Sequence, residues 1–241
     1  MRKLAQDLAQ IPGVVAVTLG GSRATGTATD DSDWDFGLYY RGTIDPNDVR
    51  ALGWPGQVFA PGDWGRIVNG GAWLEVDGEK VDLIYRDLDA VVHWTDEAEH
   101  GRFEIHREVG YVAGIATYIL AGELALGEVL SGELPRPSFP DRLRTTAPPL
   151  WNQLAAGALH YADVHSRRGD NIAALANLTQ AVLAASHGRL AAAAQWALNE
   201  KGIVARAGLD DAQLALAEVS VATATDAIRD ILHLASWKSS Q

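Results

Sequence analysis

The sequence predicts an α+β protein, with a mixed sheet and flanking helices over residues 1–100 and an α-helical bundle over residues 101–241. Three observations carry this expectation. Short β-like runs separated by glycine-rich turns fill the first hundred residues. Asp77-Gly78 sits between two alternating runs and marks a two-residue hairpin. From Leu88 onward the chain becomes alanine- and leucine-rich, with apolar residues at helical spacing and few breaks.

Leu4 to Gln10 reads as a short helix ended by Pro12-Gly13, and Val14 to Leu19 is a compact apolar run suited to a buried strand. Gly20-Gly21-Ser22 interrupts it. Asp33 to Tyr40 forms a second strand, in which Trp34, Phe36 and Leu38 alternate with Asp33, Asp35 and Gly37, so both carboxylates share one face. Ala72 to Val76 and Glu79 to Tyr85 flank the Asp77-Gly78 turn. Its two-residue length pairs Val76 with Glu79, Glu75 with Lys80, Leu74 with Val81 and Trp73 with Asp82. Leu74, Val76, Val81, Leu83 and Tyr85 then share an apolar face, while Glu75, Lys80 and Asp82 share the other. Helices are expected near 87–99, 103–131, 141–168, 171–187, 189–200 and 211–235. Leu134 to Pro140 is the main break among them, and Ser166 to Asp170 is a helix–helix turn.

A hydrophobic content of 47% supplies a sizeable core. No long uncharged apolar run and no signal-like N-terminus is present, so a soluble, cytoplasmic protein with no membrane partner is expected. With no cysteine, disulfides, thiolate metal sites and cysteine nucleophiles are excluded. A net charge of −11 has the wrong sign for tracking a nucleic-acid backbone, so no nucleic-acid partner is expected. Residues 1–109 hold nineteen acidic and ten basic side chains, against twelve and ten in the remainder. This imbalance serves solubility or attracts metal ions and a cationic small molecule.

The chemistry-bearing pattern is a strand, a Gly-Gly-Ser turn, a short helix and an Asp-x-Asp strand. Gly20 and Gly21 let backbone N–H groups approach an anion, Ser22 adds a hydroxyl, and a following helix turns its positive end there. Asp33 and Asp35 project in parallel and suit hard divalent cations. Asp82, on a neighbouring strand, would complete a three-carboxylate site for in-line phosphoryl displacement.

These residues resemble the polymerase-beta-like nucleotidyltransferase superfamily, on Leu19-Gly20-Gly21-Ser22-Arg23-Ala24, Asp33-Trp34-Asp35-Phe36 and Val81-Asp82-Leu83. The resemblance covers roughly residues 10–90. With a helical bundle following, the chain looks like the antibiotic nucleotidyltransferases that adenylylate aminoglycosides or lincosamides. The resemblance implies that Asp33 and Asp35 bind Mg2+, that Gly21 and Ser22 hold the triphosphate of ATP, and that Asp82 binds metal or accepts a hydroxyl proton. Some antibiotic-modifying members use glutamate as the base, so Glu75 and Glu104 stand beside the shorter Asp82 as alternatives.

Arg23 follows the turn and is a candidate phosphate ligand, against a plain first-turn arginine. Lys201 is a candidate to reach the nucleotide phosphates from the second domain, against a helix end capped by Gly202. Asn177 is a hydrogen-bond anchor or a cleft residue. Trp54, Trp64, Trp73 and Trp94 pack in the core or stack on an adenine or sugar-like ligand. His160 and His165 are poorly spaced for a shared metal. The resulting expectation is a Mg2+-dependent transfer of AMP from ATP to a hydroxyl of a small molecule, with an aminoglycoside as one acceptor. The rivals are protein AMP transfer by an antitoxin-like member and a non-catalytic nucleotide-binding protein of the same fold.

Overall fold

The computed structural model describes residues 2–217 and 221–233. Two compact units divide the chain: residues 1–98 with 116–138, and residues 99–115 with 139–241. Whereas a boundary at residue 100 would cut the chain once, here the segment 116–138 returns to the first unit.

The first unit is built on a six-stranded sheet. Helix α1 (Arg2–Leu8) leads into β1 (Val14–Leu19), then α2 (Gly21–Thr25), β2 (Trp34–Tyr40), α3 (Pro46–Arg50), β3 (Gly56–Val58), β4 (Gly71–Val76), β5 (Glu79–Asp87) and α4 (Leu88–Glu99). The strand order is β3-β4-β5-β2-β1, with Glu128–Ser131 as the last strand beside β1. Strands β1 and β2 are antiparallel, whereas β2 and β5 run parallel, which makes the sheet mixed. One face carries the core. Phe36, Leu38 and Tyr40 of β2, Val81, Leu83 and Tyr85 of β5, and Leu74 and Val76 of β4 bury against Leu4, Leu8 and Val49, the last three contributed by α1 and α3.

The turn between β4 and β5 adopts the expected geometry. Asp77 has φ 55° and Gly78 φ 83°, the double left-handed conformation of a type I′ turn. The register is Trp73 with Asp82, Leu74 with Val81, Glu75 with Lys80 and Val76 with Glu79, as the two-residue loop dictates.

The opposite face of the sheet is closed at one end by α5 (Ile119–Leu126). Arg86, 3% exposed, makes a two-pronged ion pair with Glu123, Nε to Oε2 at 2.5 Å and Nη2 to Oε1 at 2.7 Å. Its Nη1 donates to the Val68 carbonyl at 2.7 Å. Such a buried guanidinium is tolerated because these acceptors satisfy it.

In the second unit α6 (Asp141–Arg167) and α7 (Asn171–Ala192) form a helical hairpin. Gly169 turns the chain at φ 75°, and the Asp170 side chain caps α7 by accepting from the Ala173 N–H. Small buried residues, among them Ala155, Ala158 and Ala162 of α6 and Ala174, Ala181 and Ala185 of α7, let the helices approach closely around Trp151 and Leu178. Asn177 is an anchor within its own helix, donating to the Ala173 carbonyl at 2.8 Å. Helices α8 (Ile203–Arg206), α9 (Asp210–Ala217) and α10 (Val221–Leu232) follow. Positions 218–220 and 234–235 of the helix expected over 211–235 lie outside the described residues.

Three helix expectations are corrected. Residues 103–131 are not one helix, because Gly110 and Gly114 take φ of 90° and 105° and the Glu200 carboxylate accepts the N–H groups of Val112 and Ala113 at 2.8 Å. Gly188 does not break the bundle; α7 continues through it to Ala192, and residues 193–200 are irregular rather than a separate helix. Gly202 is left-handed, φ 62°, but it precedes α8 instead of ending a helix; the left-handed residue after α7 is Ala194. No helix among the described residues is long and apolar enough to cross a membrane.

Candidate active site

Gly20 ends β1 and ties it to β2, its N–H donating to the Asp35 carbonyl at 2.7 Å. One residue on, Gly21 has φ 61°, and a Cβ placed there would lie 1.8 Å from Asp35 Oδ2 and 2.6 Å from its Cγ. The Asp35 carboxylate therefore rests directly on the Gly21 backbone. Only glycine fits, for reasons of both φ and space. Ser22 follows in the first turn of α2, half-buried, its carbonyl accepting from the Gly26 and Thr27 N–H groups.

Asp35 and Asp82 are register partners on the parallel pair β2–β5. Their side chains leave the same face of the sheet from strands about 4.8 Å apart. Trp73 is the partner of Asp82 on β4 and emerges on that face too. Asp33 lies one residue before β2, so the expected strand start is corrected by one position. Arg23 accounts for the difference. Its Nη2 donates to the Ser32 carbonyl at 2.6 Å, its Nε reaches the Ser32 and Asp33 carbonyls at 3.2 Å, and its guanidinium lies 4.1 Å over the Trp34 ring. Arginine here binds the chain leading into β2, diverting those carbonyls from a sheet ladder.

Asp33 and Asp82 line one pocket of about 490 Å³ with Trp73, Glu75, Lys80 and the Pro55-Gly56 turn. Three acids face one lysine there. Further along β2 on the Asp35 face, the buried Tyr39 phenol is pushed far above its ordinary range by burial and, secondarily, by Glu123, so it stays protonated at neutral pH.

Carboxylate oxygens are the right donors for a hard cation such as Mg2+. Among the described residues no group of three or more His, Asp or Glu side chains gathers closely enough to hold an ion. Magnesium needs only one or two carboxylates when phosphate oxygens and water complete its shell, so the Asp35–Asp82 face with Asp33 beside it is chemically suited to the ion.

The remaining candidates disperse. Glu75 is exposed in the same pocket. Glu104 belongs to the second unit and pairs with His106 Nε2 at 2.9 Å. Lys201 is also in the second unit, exposed, its N–H donating to Asn199 Oδ1. Trp54 packs against the sheet core, and Trp94 is half-buried against His93. Sequence reasoning missed Phe59, which meets Trp73 edge-on at 4.8 Å, while Trp64 stacks on Trp73 at 5.2 Å. The hairpin register did put Trp73 opposite Asp82. No local signal marks Phe59, which reaches the cluster from the loop beyond β3.

Residues 1–88, which span this strand–turn–strand arrangement, match the family model described as the nucleotidyltransferase domain. A search of curated proteins returns no match. Among solved structures, the chain is similar to the nucleotidyltransferase-like protein from Exiguobacterium sibiricum 255-15, at 13% identity and a TM-score of 0.46, covering 96% of this chain and 73% of that one. Over residues 1–88 the chain is thus similar to nucleotidyltransferase domains, a likeness that supports nucleotidyl transfer as its general activity.

Proposed function

We propose that the protein is a Mg2+-dependent nucleotidyltransferase that moves AMP from ATP to a hydroxyl group of a small molecule and releases pyrophosphate. The observation that carries this reading is the alignment of Asp35 with Asp82 across the parallel β2–β5 pair, with the Gly20-Gly21 turn bound directly to Asp35.

In this reading the Gly21-Ser22 turn receives the triphosphate through backbone N–H groups and the Ser22 hydroxyl. Asp33 and Asp35 would hold Mg2+, which would supply charge neutralisation at the reacting phosphate. The acceptor oxygen attacks the α-phosphorus as the bond to the β-phosphate bridging oxygen breaks, and the leaving electron pair stays with pyrophosphate. Asp82 holds the attacking hydroxyl and takes its proton, since it lies on the side of Asp35 away from the glycine turn. Arg23 is a positioning residue that acts through the Ser32 and Asp33 backbone.

The test is pyrophosphate release from labelled ATP across a panel of amino sugars, lincosamides and hydroxylated metabolites. Turnover should require Mg2+ and fall by about 1,000-fold or more in Asp33→Asn plus Asp35→Asn. Turnover that survives that double substitution would refute the assignment.

A further inference from the structure

Asp35, Gly37 and Tyr39 follow one another on the face of β2 that carries the candidate site. The glycine is there for reasons of space. Its backbone is ordinary strand, with no left-handed φ to satisfy, yet a Cβ placed on it would lie 2.6 Å from Thr18 Oγ1 and 3.0 Å from Tyr39 Cε2. Glycine inside a strand often marks such a close approach. Alternate side chains on one face stand roughly 7 Å apart, so a ring atom this near means that the Tyr39 ring is laid back along β2, over Gly37 and toward Asp35.

That ring is held from three elements. Tyr39 is 1% exposed, and Thr18, the register partner of Gly37 on β1, hydrogen-bonds its phenol. Thr18 is buried in turn under the end of α5, where a Cβ on Gly127 would lie 3.6 Å from its own Cβ. Arg86, the register partner of Tyr39 on β5, is locked to Glu123 of the same helix. On the other side of Asp35 lies the glycine turn, with Oδ2 in the place that a Gly21 side chain would take. Two glycines thus flank Asp35 for opposite reasons. The space over Gly21 is left to the carboxylate, and the space over Gly37 is closed to it by a ring and a hydroxyl.

A strand side chain leans along the strand in one of a few rotamers, and a carboxylate with open space behind it would divide its time among them. Resting on the reading of Asp35 as a Mg2+ ligand, we propose that Tyr39 is a positioning residue whose ring over Gly37 confines the Asp35 carboxylate to the Gly21 side. Groups that orient a metal ligand from behind set affinity without touching the ion. Tyr39 acts only through Asp35, and it is the ring, rather than the hydroxyl, that confines.

Mn2+, a paramagnetic substitute for Mg2+, tests this without turnover when it is titrated into the full-length chain and the free ion is read by electron paramagnetic resonance. Asp35→Asn should weaken Mn2+ binding by about tenfold or more, and Tyr39→Leu, which removes the ring, should weaken it comparably. Tyr39→Phe keeps the ring and should stay within about threefold of the wild-type chain. Gly37→Val should also weaken binding by pushing the ring aside. Gly37→Val combined with Tyr39→Leu, in which the valine refills the emptied space, should recover to within about threefold. That pair decides the matter where Tyr39→Leu alone does not fold. In the Asp35→Asn background, Tyr39→Leu should change affinity by less than about twofold, since a wall acts only through what it confines. Wild-type affinity in a folded Tyr39→Leu variant, an equal loss in the Asp35→Asn background, or no recovery in the combined variant would each overturn the inference. Equal Mn2+ binding by the wild-type chain and Asp35→Asn would overturn it too, and would place the fault in the metal reading rather than in Tyr39.

Discussion

At Gly21 two physical demands coincide: a left-handed backbone and a carboxylate resting on the missing side chain. Gly21→Ala should therefore do more than strain the turn by about 1–2 kcal/mol. It must displace Asp35, and a shift of about 1 Å at a reacting centre costs on the order of 100-fold in rate. Pyrophosphate-release kinetics beside a thermal melt would show a large activity loss with a modest stability loss. Arg23 differs in kind, since its guanidinium is engaged with the Ser32 and Asp33 carbonyls and with Trp34. Arg23→Ala is expected to lower kcat by about tenfold while leaving KM for ATP nearly unchanged, and Arg23→Lys should not rescue it, because an ammonium reproduces neither the fork nor the stack. An increase confined to KM for ATP would instead make Arg23 a phosphate ligand.

Among elements, β5 bears the most: it carries Asp82, pairs in parallel with β2, and is locked to α5 through Arg86 and Glu123. Removing one member of that buried pair leaves the other charge uncompensated. Arg86→Met should cost about 3–5 kcal/mol in denaturant unfolding, and Arg86→Met combined with Glu123→Leu should recover much of the loss. A double substitution no more stable than the single one would show that Arg86 acts mainly through the Val68 carbonyl. At the other end of β5, the Asp77-Gly78 turn sets which residue of β4 faces Asp82. Gly78→Val puts a β-branched side chain at φ 83° and should lower stability by about 1–2 kcal/mol, read as a shift of the unfolding midpoint.

The molecule as a whole carries a pH liability far in sequence from the carboxylates. His187, 4% exposed in α7, stacks on Trp151 at 4.4 Å, and neither ring nitrogen has a hydrogen-bond partner among the described residues. Burial, with a contribution from Arg206, pushes its pKa down to about 4 from the ordinary 6.5. Above pH 6.5 both native and unfolded chains hold it neutral, so it contributes no pH dependence there. Between 6.5 and 4 the unfolded chain takes up a proton that the native chain refuses, and stability falls by up to about 1.4 kcal/mol per pH unit. Urea midpoints at pH 7.5 and 4.5 should diverge more for the wild-type chain than for His187→Phe; equal divergence would remove His187 from the account.

Local pattern was enough for much of this protein. The alternation of Trp34, Phe36 and Leu38 with Asp33, Asp35 and Gly37, and the two-residue Asp77-Gly78 loop, determined which side chains face the core and which residues of β4 and β5 oppose each other, because strand periodicity and turn length act between near neighbours. The α6–α7 hairpin was legible for the same reason, from its helical spacing and its Gly169 turn. Only the tertiary structure decided that β5 runs parallel to β2, which brings Asp82 level with Asp35 across a separation of 47 residues. It alone returned residues 116–138 to the first unit, engaged Arg23 with the approach to β2, and gathered Phe59 and Trp64 behind Trp73. Those outcomes depend on long-range pairing and on what each side chain finds when the sheet closes, and no window of sequence carries that information.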